Sequence, residues 1–229
     1  MFKWILFFIV FILLISGSFA GYLYTNREEF LSKWLTGALG TKVSIHAIDI
    51  KNDGFTISGL AIKNPPSCSL KNAFSADRID VQLNWKQQLP ALFGIQKQAI
   101  VIDKIAIDNP ELGIEVTSLL NLQTNWKTII DNITPTSSPS PAKDSRSFIV
   151  KKCVLTHIQM NVTNDTLVPL SLHPAPIASI EMNNIGSDKA RSLSEVLYSI
   201  FKRLSEEAVS HATGDTKPAL PSTGEYKNP

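Results

Sequence analysis

The feature that most constrains this chain is its first segment. From Trp4 to Asn26 there is no charged residue, and Trp4 through Ile15 is an unbroken run of Trp, Phe, Ile, Val and Leu. A soluble helix has no use for such a run. About 20 residues at roughly 1.5 Å each cover a hydrocarbon layer of about 30 Å, and Tyr22 and Tyr24 supply ring-bearing anchors at the far interface. Residues 1–26 therefore read as a single transmembrane anchor. The rival is a cleaved signal peptide, because Lys3, an apolar stretch and Ser18-Phe19-Ala20 resemble a cleavage site after Ala20. The anchor is preferred, since apolar character resumes at Gly21-Tyr22-Leu23-Tyr24. Both readings carry the bulk of the chain across the membrane.

What remains of the 229 residues suffices for one medium domain. Lys and Arg number 22 against 20 Asp and Glu, a net charge of +2 that argues against a nucleic-acid partner. Residues 27–41 have helical apolar spacing through Phe30, Leu31, Trp34, Leu35 and Leu39. Asn26 is the expected N-cap and Gly40 the stop. This amphipathic helix either packs on the domain or lies against lipid headgroups.

From Val43 the period changes to two, and one eight-residue arrangement recurs: apolar, x, apolar, x, x, apolar, x, apolar. Its copies are Val43, Ile45, Ile48, Ile50; Phe55, Ile57, Leu60, Ile62; Ile100, Ile102, Ile105, Ile107; and Phe148, Val150, Cys153, Leu155. Side chains alternate along a strand, so two apolar pairs separated by an extra residue do not share a face of a regular strand. Either a β-bulge restores the second pair to the first face, or the strand is apolar on both faces in turn. Repeated bulges would curve the sheet into a concave apolar groove; the plainer alternative is a sheet whose apolar face a helix covers.

Asp53-Gly54 reads as a hairpin, and Asn64-Pro65 and Asn109-Pro110 as strand stops. Ala76–Trp85 and Leu112–Val116 add strands, Leu89–Gly94 a turn or short helix, and Met160, Val162, Leu170 and Leu172 further strand pattern. The expected fold is mainly β with flanking helices (α+β), a curved antiparallel sheet of about 6–8 strands within residues 42–186. That span includes a flexible loop at 134–147. Residues 187–212 hold an amphipathic helix opened by the capping box Ser192-x-x-Glu195, and residues 213–229 read as a disordered tail.

No phosphate-binding glycine loop, nucleophile elbow or Cys/His cluster occurs, so neither an enzymatic activity, a cofactor nor a metal is expected. His46, His157, His173 and His211 lie in separate segments. Cys68 and Cys153 lack metal or redox spacing; a bridge between them is open in an oxidising compartment, and two free thiols are the simpler reading.

The anchor, the helix ending Leu39-Gly40-Thr41-Lys42-Val43, the strand closing in Ile57-Ser58-Gly59-Leu60-Ala61-Ile62-Lys63-Asn64-Pro65, and Leu92-Phe93-Gly94 leading to Ile100-x-Ile102-x-x-Ile105-x-Ile107-x-Asn109-Pro110 together resemble the AsmA-like proteins of bacterial envelopes, best over residues 1–116. The resemblance implies an inner-membrane anchor, a periplasmic β-sheet, and a role in lipid transport or outer-membrane assembly, with membrane lipids and other envelope proteins as partners. Phe55, Ile57, Leu60, Ile62, Ile100, Ile102, Ile105 and Ile107 would line the groove. About eight strands at roughly 4.8 Å each span near 40 Å, too short to bridge an envelope alone. The alternative is a non-catalytic interaction module with a closed core, resembling the LEA-14-like β-sandwich.

Overall fold

The computed structural model describes residues 25–92, 98–118, 123–133, 147–164, 174–189 and 191–213. Helix α1 (Arg27–Leu39) opens the domain. Strands β1 (Val43–Ser44) and β2 (Ala47–Lys51) follow, then β3 (Gly54–Lys63) and β4 (Asn72–Gln82). Helix α2 (Trp85–Leu92) leads to β5 (Ile100–Ile102), β6 (Lys104–Asp108) and β7 (Glu111–Ser118). After β8 (Gln123–Thr124) and helix α3 (Asn125–Ile133) come the 17-residue β9 (Phe148–Asn164), β10 (Ile177–Ile185) and helix α4 (Leu193–Thr213).

All ten strand segments belong to one sheet. β1 and β2 both pair with β3, and β6 and β7 both pair with β4, so each set is one interrupted strand. The expected antiparallel sheet is corrected in one respect: β5, β6 and β7 all run parallel to β9. That pairing needs a crossover, and α3 lies within it. Their register never slips. Ile100 pairs with Phe148, Ile105 with Cys153 and Glu111 with Gln159, a constant step of 48 residues.

Two apolar rows cross the sheet. One is Ile48–Ile57–Ile79–Ile107–Leu155–Ile180; the other is Val43–Ile62–Phe74–Leu112–Met160. Every member is buried, at 9% exposure or less. On each strand the rows stand five residues apart: 43 and 48, 57 and 62, 74 and 79, 107 and 112, 155 and 160. An odd step puts side chains on opposite faces of a regular strand, so each strand must carry one extra residue between the rows. The backbone marks where: Gly59, Asn109 and His157 have φ of 62°, 50° and 54°. The second apolar pair is thus returned to the first face, but by a kink that neighbouring strands share at one height and without the register shift of a β-bulge. A second odd step separates Ile102–Val150–Ile185 from the Ile107 row, with Asn184 at φ 55°.

Helices α1, α3 and α4 contact one another in series and pack on the strands. Trp126 and Ile129 of α3 are fully buried, and the rings of Phe74 and Trp126 stand 6.2 and 5.4 Å from that of Phe201 on α4. Helix ends follow the expected chemistry in two places. Gly40 adopts φ 63°, a left-handed stop that leaves room for Asn132, whose amide donates to the Leu39 carbonyl at 3.0 Å. Ser192 and Glu195 cap α4 reciprocally: the Ser192 amide donates to the carboxylate at 2.6 Å and the Glu195 amide to the hydroxyl at 3.2 Å.

Other expectations are corrected. Asn26 forms no side-chain cap; Glu28 instead accepts from the Ile48 amide on the neighbouring strand. The hairpin turn is Asn52-Asp53, with Gly54 already in β3. Asn109-Pro110 bends a strand that continues as β7, because Pro110 need not donate where its neighbour Asn109 supplies the kink. Trp85 begins a helix rather than ending a strand. The anchor, the loop over 134–146, Leu170 and Leu172, and the tail from 214 lie outside the described residues.

Candidate functional site

Seven of the eight apolar residues expected to line a groove lie in or against the core that helices α1, α3 and α4 share with the sheet. Ile57, Leu60, Ile62 and Ile107 belong to the buried core, and Ile100 is buried where α2 packs on β5. Phe55, Ile102 and Ile105 are half-buried against that core. Instead of an open groove, α1, α3 and α4 cover much of this face.

The cover thins at the end marked by the Asn52-Asp53 turn. The row Ile50–Phe55–Val81–Ile105–Cys153–Met182 runs from an exposed Ile50 through half-buried Phe55 to fully buried Cys153. Helix α2 closes part of it. Trp85 lies 6.4 Å from the Phe55 ring and donates its indole N–H to the Lys51 carbonyl at 2.8 Å. Gln88 accepts from the Val101 amide at 2.9 Å, tying the same helix to β5. The expected groove list omitted Ile50 and Trp85. Their signal was local: Ile50 ends the first copy of the repeated pattern, and Trp85 follows a strand that reaches the same end.

Neither cysteine forms a disulfide. Cys68 sits in the loop before Asn72, beyond Phe74, which pairs with Leu112 and through it with Met160. Met160 is seven residues along β9 from Cys153, about 23 Å at roughly 3.3 Å per residue, so a bridge is out of reach. Burial pushes the Cys153 thiol up to about 12, which makes it an inert packing residue.

The polar constellations hold structure together. Glu115, fully buried on β7, accepts from the Ser69 and Leu70 amides at 2.8 and 2.9 Å and from the Ser69 hydroxyl. Asn125 accepts from the Glu115 amide and donates to the Gly113 carbonyl, and its amide also meets Asn64. One loop, one strand and one helix are thereby pinned together. On the opposite face of the sheet, Asp80 gathers Arg78, Thr56 and Lys51 at 2.7, 2.6 and 3.2 Å; chiefly the Arg78 hydrogen bond, then those of Thr56 and Lys51, holds its carboxyl well below the usual range. His157 bonds Asp108 at 2.8 Å on exposed surface, and this bond leads those lowering the Asp108 carboxyl. His46 and His211 lie apart from it, and His173 is outside the described residues. Among the described residues no three His, Cys, Asp or Glu side chains gather as metal ligands would.

The edge strand beside α1 is closed by that helix. Thr36 accepts from the Val43 amide at 2.9 Å, Ser32 donates to its carbonyl, and Arg27 donates to the Ile48 carbonyl at 2.7 Å. A row of unpaired backbone groups is thereby masked. Compared with known protein families, with curated proteins and with solved structures, the chain finds no match in any of the three. Among the described residues no helix is long and apolar enough to cross a membrane, and the Trp4–Tyr24 stretch lies outside them.

Proposed function

We propose that this chain is a non-catalytic protein of a bacterial envelope, anchored by residues 1–26 in the inner membrane with its β-domain in the periplasm. There it binds lipid acyl chains along the apolar sheet face or assists outer-membrane assembly. The observation that carries this reading is the row from exposed Ile50 through half-buried Phe55 and Ile105 into the core. That row offers an acyl chain a path from the surface to apolar surroundings, and each buried CH₂ contributes about 0.8 kcal/mol. The AsmA-like resemblance over residues 1–116 agrees with it.

A second reading has its own support. The cover of α1, α3 and α4 over the sheet favours a closed interaction module, in which the apolar residues only fill a core. A photoreactive amino acid placed at Phe55 or Ile105 in the full chain, irradiated in native membranes, separates the two. Lipid-mass adducts at these positions and none at Ile114, buried at the far end, are expected. Absence of lipid adducts at both Phe55 and Ile105 overturns lipid handling and leaves the closed module.

A further inference from the structure

Phe30, Ile50 and Leu89 are the large hydrophobic side chains left exposed among the described residues, at 63%, 53% and 43%. All three belong to elements tied to the Asn52-Asp53 hairpin. Ile50 lies just before the turn. Phe30 is in the first turns of α1, whose Arg27 and Glu28 bond the Ile48 carbonyl and amide. Leu89 is on α2, whose Trp85 donates to the Lys51 and Gly54 carbonyls. Single exposed apolar residues are ordinary, but their concentration at one end is not.

That end is also where the chain turns toward its N-terminal apolar run. The uncharged stretch ends at Asn26, a turn residue, and α1 begins at the next residue, Arg27. Phe30 stands four residues beyond Asn26, and its amide donates to the Asn26 carbonyl at 2.9 Å. If the anchor ends at an interface, α1 and the hairpin end it is tied to begin within a few residues of that interface.

We propose that this end of the domain is seated in the headgroup layer of the membrane that holds the anchor, with Phe30, Ile50 and Leu89 inserted toward the acyl boundary. The inference rests on the reading of residues 1–26 as an anchor and deepens it: the domain is a docked body with a fixed orientation, not a ball on a tether. An apolar face lying in the interface is buried about 5–10 Å into the headgroup and acyl boundary. The seat also points the exposed mouth of the Ile50–Phe55–Ile105 row at the lipid.

The test uses the full chain carrying Cys68→Ser, with buried Cys153 retained, and single substitutions Phe30→Cys, Ile50→Cys, Leu89→Cys, or Lys71→Cys as the far-end reference. Each is labelled with bimane and reconstituted in phosphatidylcholine–phosphatidylglycerol vesicles containing lipids with a nitroxide just below the headgroup. Several-fold stronger quenching at 30, 50 and 89 than at 71 is expected. Equal quenching at all four positions, with the protein still floating with vesicles after alkaline carbonate, overturns the seat and leaves the anchor standing. Loss of flotation overturns the anchor reading itself. Shielding that vanishes when the protein is diluted into excess lipid assigns the surface to a second copy and overturns the proposal.

Discussion

Asn109 and His157, 48 residues apart in sequence, lie side by side on parallel strands in the same left-handed backbone conformation, with φ of 50° and 54°. The Asn109 amide donates to the Thr156 carbonyl at 2.9 Å, and Gln159 reaches the Asn109 side chain at 3.2 Å. Neither residue is glycine, and a left-handed residue costs roughly 1–2 kcal/mol unless its side chain suits it. His157→Val, which adds β-branching at this backbone, is expected to lower stability by about 1–2 kcal/mol, whereas Asn109→Gly is close to neutral. Urea unfolding followed by the emission of buried Trp126 measures both; equal midpoints for His157→Val and wild type would show that the kink carries no strain.

Glu115 is held by three neutral donors from the Ser69–Leu70 corner. Glu115→Ala strands two backbone amides, each at a cost of about 1–3 kcal/mol, and is expected to release the loop preceding Asn72. Amide hydrogen exchange at Ser69 and Leu70 is the direct measurement. Unchanged protection would mean that the backbone alone sets the corner.

Phe201 sits between Phe74 and Trp126, joining α4 to both sheet and α3. Phe201→Ala leaves a cavity at this junction and is expected to destabilise by about 3–5 kcal/mol, while Phe201→Leu costs less. Thermal unfolding of the two variants checks the order; the reverse order would place the junction's weight elsewhere.

Asp80 is one of the pH-sensitive carboxylates of the polar face. Its carboxyl is depressed when folded, chiefly by Arg78, so its stabilisation is fully present above its unfolded value of about 3.9 and is lost as pH falls through the folded value. Asp80→Asn is therefore expected to weaken the domain at neutral pH and to flatten its loss of stability below about pH 4. Urea midpoints at pH 7 and pH 3 read this directly, and an undiminished acid slope in the variant would transfer the effect to other carboxylates.

Legibility in the sequence tracked how local each interaction was. The apolar pairs around an extra residue were visible because such a kink is written in consecutive residues, as in Ile57-Ser58-Gly59-Leu60. The Ser192–Glu195 box and Gly40 were visible for the same reason. Helix α3 was missed although Trp126, Ile129, Ile130 and Ile133 have helical spacing; nine residues between a short strand and a Pro-rich stretch give periodicity little length to declare itself. The parallel partnership of β6 with β9 joins Ile105 to Cys153, 48 residues on and beyond α3, and no local pattern encodes such a pairing. Seven of the eight expected groove residues lie in or against one apolar core, and Ile100 is buried beside α2. What lay over that core depended on α3 and α4 meeting through Trp126 and Phe201, a tertiary event.

The five-residue step between the two apolar rows makes the strands count together. Removing one residue from a single strand, for example at Gly59, restores an even step there alone, so β3 keeps both apolar pairs on one face but falls one residue out of register with its neighbours beyond the deletion, opposite residues that face the other way. The same deletion made at matching height in every strand would leave all faces consistent. Length changes at this height are therefore forbidden singly and permitted only in concert, so the domain's tolerance for insertions and deletions is confined to its loops and strand ends.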